Sequence, residues 1–333
     1  MNYILLSFGI VIYIAVISDI VITTLTMKGG GWMTSRLCHW LWRLALNICG
    51  RNGRSKALTH TGYLLLVIIV LAWVVMLNVS FSLVLMGQID SIIDATTKLP
   101  TTGWEKVYYS GYVLSTLGIG DYVASTNTWR LVTNLYAFTG LIFITMSVTY
   151  FISVLSAVIK QRKLGISISG LGDNPQEVIL NAWNGQNFNF LKFQLLNLSD
   201  ALVDHNQNHR AYPIIHYFHN NKRKNAVVLQ IAKLNEVVYL FQEYIEKELT
   251  LNKSELLSIL SALNNYKEVI GDVTKVKIIQ NSSVSTPIDK LIDKNLLVDN
   301  FEQIELNDAM HENRIVYQSL IEQDGWQWDD VIN

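Results

Sequence analysis

The chain has 333 residues, half of them apolar, with 26 basic and 27 acidic side chains and a formal net charge of −1. That balance excludes the basic character expected of a nucleic-acid binder. Its two cysteines, Cys38 and Cys49, exclude a disulfide framework.

The charges are unevenly spread. Residues 1–160 hold ten Lys/Arg and five Asp/Glu, and residues 161–333 hold sixteen and twenty-two. A membrane composition is followed by a soluble, slightly acidic one.

The first apolar run, 1–26, is interrupted only by Asp19, and residues 1–27 are read as an N-terminal transmembrane helix. A signal peptide is the competing reading, but no basic n-region or small-x-small cleavage site supports it. Asp19 lies close to the end of the run, where an arginine of the following segment is its expected partner. Residues 28–60 form a basic amphipathic segment with six Lys/Arg and no acid, which the positive-inside rule places in the cytoplasm. The N-terminus is then outside. Leu37, Leu41, Leu44 and Ile48 recur at helical spacing beside Trp32, Trp40 and Trp42, as in a helix lying along the inner leaflet.

Residues 61–164 are read as one pore domain. Two nearly charge-free runs, 57–89 and 131–159, each exceed the ~20 residues needed to cross a bilayer as a helix. Between them come a turret, 87–103, with Asp90, Asp94 and Lys98, and then a short helix over 107–115. Glu105 complements the positive end of that helix. Next stands Thr116-Leu117-Gly118-Ile119-Gly120-Asp121. Irregular backbone at membrane depth survives only when buried in protein or lining a watery path. Glycine tolerates positive φ, so successive carbonyls can turn toward one axis and replace the hydration shell of a cation.

In the last span, Gly140 weakens the helix by about 1 kcal/mol relative to alanine, which marks it as a gating hinge or, equally, a packing contact. Turn counting from it offers Ile144, Val148 or Thr149, Ile152 and Ser156 as pore-facing positions. Lys160, Arg162 and Lys163 place the exit in the cytoplasm.

Residues 165–333 read as a cytoplasmic helical domain. Gly165–Pro175 is an expected linker. Its Gly170-Leu171-Gly172 lacks the third glycine and strand context of a dinucleotide fingerprint. Val227, Ile231, Leu234, Val238, Phe241 and Ile245 form a short seam, suited to a bundle core or to assembly on a symmetry axis. Asn252 and Glu255 have capping-box spacing. Residues 281–287 read as a polar linker, and 288–333 as an acidic, docked tail. His205, His209, His216 and His219 fall within fifteen residues. Pro213 breaks their register, so a solvated turn is expected, with metal binding or pH sensing as weaker candidates.

The motif Thr116–Asp121 resembles the TVGYGD signature of potassium-channel selectivity filters. The preceding 107–115 resembles that family's pore helix, and Gly140 stands where its inner helix often carries a glycine. The resemblance covers roughly 60–160. It implies an all-α integral membrane channel, a tetrameric pore-loop protein with a helical cytoplasmic domain, in the cell membrane. Thr116, Leu117, Gly118, Ile119 and Gly120 would bind the permeant ion. Tyr108, Tyr109 and Asp121 would brace the filter, and Gly140 would be the hinge. Leu117 and Ile119 depart from the usual Val and Tyr, and the tyrosine hydroxyl that ties the filter is absent.

The expected function is passive K⁺ conduction, with no enzymatic activity and no cofactor beyond the permeant ion. The expected partners are membrane lipid, three further copies of the chain and a cytoplasmic ligand of unknown identity. A non-selective monovalent cation channel, or a membrane-anchored sensor or scaffold with a vestigial pore, are the alternatives.

Overall fold

In the computed structural model, all residues are described except 28, 247, 275–285, 300 and 302–307, as are all side chains other than those and 253, 273–274 and 308–312. Most of the expected polar linker at 281–287 therefore lies outside the described residues. The chain is helical apart from one small two-stranded sheet, and it forms two compact units. One comprises Met1–Cys38 and Leu64–Val154, and the other His39–Tyr63 and Leu155–Asn333. These limits differ from the sequence boundaries at 60 and 164. Residues 39–63 of the basic segment fold with the C-terminal region instead of standing alone.

Among the described residues, three helices are long and apolar enough to cross a membrane: α1, Tyr3–Leu25; α3, Leu58–Met86; and α5, Asn127–Ser169. Between the first two lies α2, Trp32–Ile48. On α3 the side chains of Leu66, Ile69, Trp73, Leu77, Phe81 and Val84 form a buried stripe, while Leu64, Val67, Leu71 and Val75 are exposed. Helical periodicity thus leaves one apolar face to pack and one to meet lipid.

Within the membrane unit, α1 packs on the other two spans of its own chain. Gly9 permits the approach, since a Cβ there would lie 2.9 Å from the Ser80 carbonyl oxygen. The Ser80 hydroxyl donates to the Gly9 carbonyl at 2.9 Å. Tyr13 and Thr139 share a hydrogen bond of 2.7 Å, and the Tyr136 ring stacks on Phe81. Small residues and hydroxyls are what hold helices together where lipid is as apolar as the side chains.

Asp19 is fully buried, and its partners are not the arginine expected from sequence. One oxygen accepts from the amides of Met33 (2.8 Å) and Thr34 (3.3 Å), and the other from the Thr34 hydroxyl (2.5 Å) and the Trp73 indole (2.9 Å). The first turn of α2 has orphan N–H groups and a positive dipole end, which a carboxylate satisfies better than an exposed arginine could satisfy Asp19. Gly31 is required beside it, because a Cβ at that position would collide with the Asp19 carboxylate.

The turret carries β1, Ile92–Asp94, which pairs antiparallel with β2, Tyr122–Ala124, just after the filter motif. Between them runs α4, Gly103–Leu114, with a complete capping box from Thr102 and Glu105. The sequence reading started this helix four residues late because Gly103 and Trp104 are weak helix signals. The cap explains why they are helical nonetheless.

In the second unit, α5 continues to Ser169, so the expected linker starts five residues later than Gly165. Gly165 is a packing glycine: a Cβ there would come within 3.0 Å of the Asn225 carbonyl oxygen. There follow α6, Pro175–Ala182; α7, Asn189–Ala211; α8, Val227–Glu243; α9, Lys253–Thr274; α10, Asp289–Ile292; α11, Asp308–Gln323; and α12, Asp329–Ile332. Helix α8 is buried nearly all round, which assigns the 227–245 seam to the bundle core. Each buried Leu, Ile or Phe contributes about 1.5–3 kcal/mol. The buried charged members of α8 are matched. Glu236 accepts from Arg314 at 3.1 and 2.5 Å, and Lys233 donates to the Gly172 carbonyl at 2.5 Å. Asn252 and Glu255 form the expected reciprocal cap. The C-terminal Trp326 and Trp328 are buried, so the tail is docked.

Replacing Asp19 by alanine leaves four donors without their acceptor. The expected loss is about 3 kcal/mol or more, read as a lower midpoint of thermal unfolding in detergent. An unchanged midpoint would show that the buried carboxylate does not hold α1, α2 and α3 together.

Candidate ion-conduction site

Helix α4 ends at the motif, and the way it ends shapes the site. The amide of Leu117 donates to the Tyr112 carbonyl (2.9 Å), and that of Thr116 to the Val113 carbonyl (3.0 Å). These are the two hydrogen bonds of a Schellman C-cap, which needs a left-handed residue right after the cap. Thr116 occupies that position with φ 59°, where glycine is usual. The strain costs about 1 kcal/mol. A threonine retained there places a hydroxyl and a carbonyl together at the start of the loop.

Beyond it, Gly118 has φ 59° and Gly120 φ 86°, while Leu117 and Ile119 stay at negative φ. Positive φ at these positions leaves successive carbonyls free to turn toward one side. Leu117 and Ile119 are 66% and 51% exposed. Among the described residues, the amides of Gly118, Ile119 and Gly120 have no hydrogen-bond acceptor.

The loop is braced from behind. Tyr109 is buried and shares a 3.0 Å hydrogen bond with Thr133 of α5. Tyr108 is partly exposed, and its phenol lies beside the Asp121 carboxylate. Asp121 accepts from the Tyr122 amide at 3.0 Å, and its carbonyl accepts from Ala95 at 2.8 Å, tying the loop's exit to the turret. Tyr112 was missed by the sequence reading. Its hydroxyl donates to the Tyr122 carbonyl at 2.7 Å, and its ring meets both Tyr108 and Tyr109 edge-on. The signal was present, because Tyr112 lies four and three residues from the pair and so shares their helix face.

Gly140 lies within unbroken helix, where α5 meets the end of α4. A side chain there would collide with the Leu114 carbonyl. Ile144, Val148, Thr149, Ile152 and Ser156 all lie exposed in the single chain, while Phe143, Ser147, Tyr150 and Val154 are buried.

The histidines lie in the other unit and are not on a solvated turn. His205 and His209 on α7 are buried, His219 is buried and His216 is half-buried. Apolar neighbours at 213–218 bury the turn that Pro213 creates, which the flanking Asn and Gln residues concealed. His205, His209 and His216 have adjacent rings, with centroids 5.7 and 5.6 Å apart. Among the described residues, no group of three or more His, Cys, Asp or Glu is arranged to hold a metal ion. His219 is separate in role. Its Nε2 meets the Gly53 carbonyl at 2.6 Å and its Nδ1 the Asp324 carboxylate at 3.0 Å. Burial pulls its pKa down, but the Asp324 charge and the two acceptors outweigh burial and raise it. With an acceptor on each nitrogen, His219 is best satisfied as the imidazolium.

Tyr112→Phe removes the hydroxyl that holds the loop's exit, at a cost of about 1 kcal/mol. Faster amide hydrogen exchange is expected over 116–122, with α5 unchanged, by mass spectrometry. Identical exchange in the variant would show that the phenol does not brace the loop.

A family described as "Ion channel" matches residues 63–157, which contain α4, the loop and most of the two helices that flank it. The "Uncharacterized membrane protein YdjJ" of Bacillus subtilis (strain 168) is 32% identical over 263 residues, 79% of this chain and 76% of the relative. No solved structure matches the chain. The match takes in α4, the loop and most of both flanking helices, the three apolar helices agree with a membrane protein, and over these residues the chain belongs to the ion-channel family.

Proposed function

We propose that four copies of this chain form a K⁺-selective channel that conducts passively through the carbonyls of Thr116 to Gly120. The observation that carries this reading is the alternation of φ at Thr116, Gly118 and Gly120, which supports a file of carbonyls able to replace a hydration shell. A single loop presents one such file, and a cation needs ligands around it. Closed fourfold symmetry supplies them and covers Leu117 and Ile119. The N-terminus lies outside and residues 165–333 lie in the cytoplasm, as the basic flanks of the spans favour. Gly140 acts as the hinge of α5 once the α4 contact slides, with Ile144, Val148, Thr149, Ile152 and Ser156 toward the pore.

The exposure of Ile119 favours a second reading. No hydroxyl ties that position to its surroundings, so the filter could stay loose enough to pass Na⁺ as well. Flux from liposomes in separate K⁺ and Na⁺ gradients separates the two. The expected result is K⁺ flux exceeding Na⁺ flux by at least about tenfold, a difference of about 1.4 kcal/mol between the ions. Gly118→Ala, which forces a side chain onto φ 59°, is expected to abolish it. Equal fluxes, both lost in the variant, would replace the selective reading with the non-selective one. Flux that survives Gly118→Ala would place the pathway elsewhere.

A further inference from the structure

The second unit contains a cavity of about 100 Å³, with a mixed polar and apolar lining, that the conduction reading does not use. It is lined by Thr59 at the start of α3, Gln161 and Arg162 on α5, and His205, His209 and His216. Four buried polar atoms on it lack a partner: Thr59 Oγ1, Gln161 Oε1, His205 Nδ1 and His209 Nδ1. Unpaired buried polar groups cost about 1–3 kcal/mol each, so an acceptor that takes a hydrogen bond from the Thr59 hydroxyl and from a protonated Nδ1 of His205 or His209 is favoured, whereas Gln161 Oε1 can only accept.

The charge of the wall narrows the occupant. Asp324 is the one carboxylate on it among the described residues, and it is committed to His219. Arg162 is exposed at the lining. The remaining polar side chains of the lining offer imidazole, amide and hydroxyl donors with no anion to receive them, and Val158, Phe218, Ala226, Val227 and Val228 complete the wall. The volume accommodates about three waters, at about 30 Å³ each, or one compact oxyanion.

We propose that this cavity is a binding site for a small oxyanion of the phosphate or sulfate type, held by Arg162 and by the imidazoles of His205, His209 and His216. The anion is either a free ion or the headgroup phosphate of a lipid, since the chemistry that binds both is the same. Its binding takes up protons. The groups that face the three rings are Arg162 from α5, Tyr266 from α9, His39 from α2, and the His219–Asp324 pair. None of them supplies a free negative charge. Burial first, and then the charge of His216, hold His205 down to about 4 and His209 well below the ordinary histidine value; burial likewise lowers His216. The three imidazoles of the empty site are therefore neutral at pH 7, and Arg162 carries its positive charge. These lowered histidines stabilise the fold above the unfolded value near 6.5, and that stability is lost as pH falls toward their folded values. An anion reverses the sign of the local field, favours the imidazolium, and so binds more tightly as pH falls.

The binding claim does not need the protein to conduct. Any effect on gating rests on the channel reading above, through the two helices, α3 and α5, that contribute to the wall. The test is a calorimetric titration of full-length protein in detergent with inorganic sulfate, which keeps its charge across this range, against chloride at matched ionic strength. Sulfate is expected to bind about tenfold more tightly at pH 6.0 than at 7.5. Arg162→Gln, an exposed position that leaves folding intact, is expected to weaken it about tenfold, and His209→Gln to flatten the pH dependence. Binding that is independent of pH, equal for chloride, or unaltered by Arg162→Gln would overturn the proposal, as would absence of binding, which would leave a water-filled cavity. Repeating the titration in nanodiscs identifies the source. Loss of sulfate binding in phosphatidylglycerol but not phosphatidylcholine discs upholds the site as lipid-filled, and equal binding in both upholds it as a free-anion site.

Discussion

A peptide group at membrane depth must find a partner, and among the described residues the amides of 118–120 find none. The helix that leads into it spends its last carbonyls on Thr116 and Leu117. Beyond that point no regular structure is possible, because glycine and left-handed threonine hold the backbone in alternating conformations. In lipid this arrangement would be prohibitively costly. On the reading proposed above, the surrounding structure keeps it out of lipid and in one shape. Helix α4 aims it, the tyrosines at 108, 109 and 112 wall it, and the β1–β2 pair fixes its exit. The spans α3 and α5 then carry this assembly across the bilayer.

The N-terminal span and the basic segment extend the same logic. Asp19 would be an expensive residue in a membrane helix, yet it is the acceptor that lets α2 begin at its depth. The Trp73 indole brings α3 to the same carboxylate. A buried polar group of this kind contributes specificity, since only one packing of the three segments satisfies it.

What could be read in the sequence followed the strength of local signals. The spans, the capping box at Asn252 and the short helix before Thr116 each rest on a short, periodic or chemically constrained pattern, and the structure contains those elements. The partners of Asp19 could not be read, because charge counting favours arginine and gives no weight to amides at a helix start. The burial of the histidines was hidden by tertiary packing: Asn and Gln surround them in sequence, while α9 and residues 39–63 cover them in space. Tyr112 was overlooked because attention fell on the adjacent pair rather than on the helix face. The fate of residues 39–63 was likewise invisible, since the contacts that define it come from residues far along the chain, such as Gln323 and Gly325.

The central claim is that the exposed loop is completed by copies of the chain around one axis. Native mass spectrometry of the protein released from lipid nanodiscs tests it directly. The account predicts a single assembly with the mass of four chains, which falls apart when Gly118 and Gly120 are both replaced by valine. A monomer or dimer as the largest species, from protein that conducts in liposomes, would contradict it.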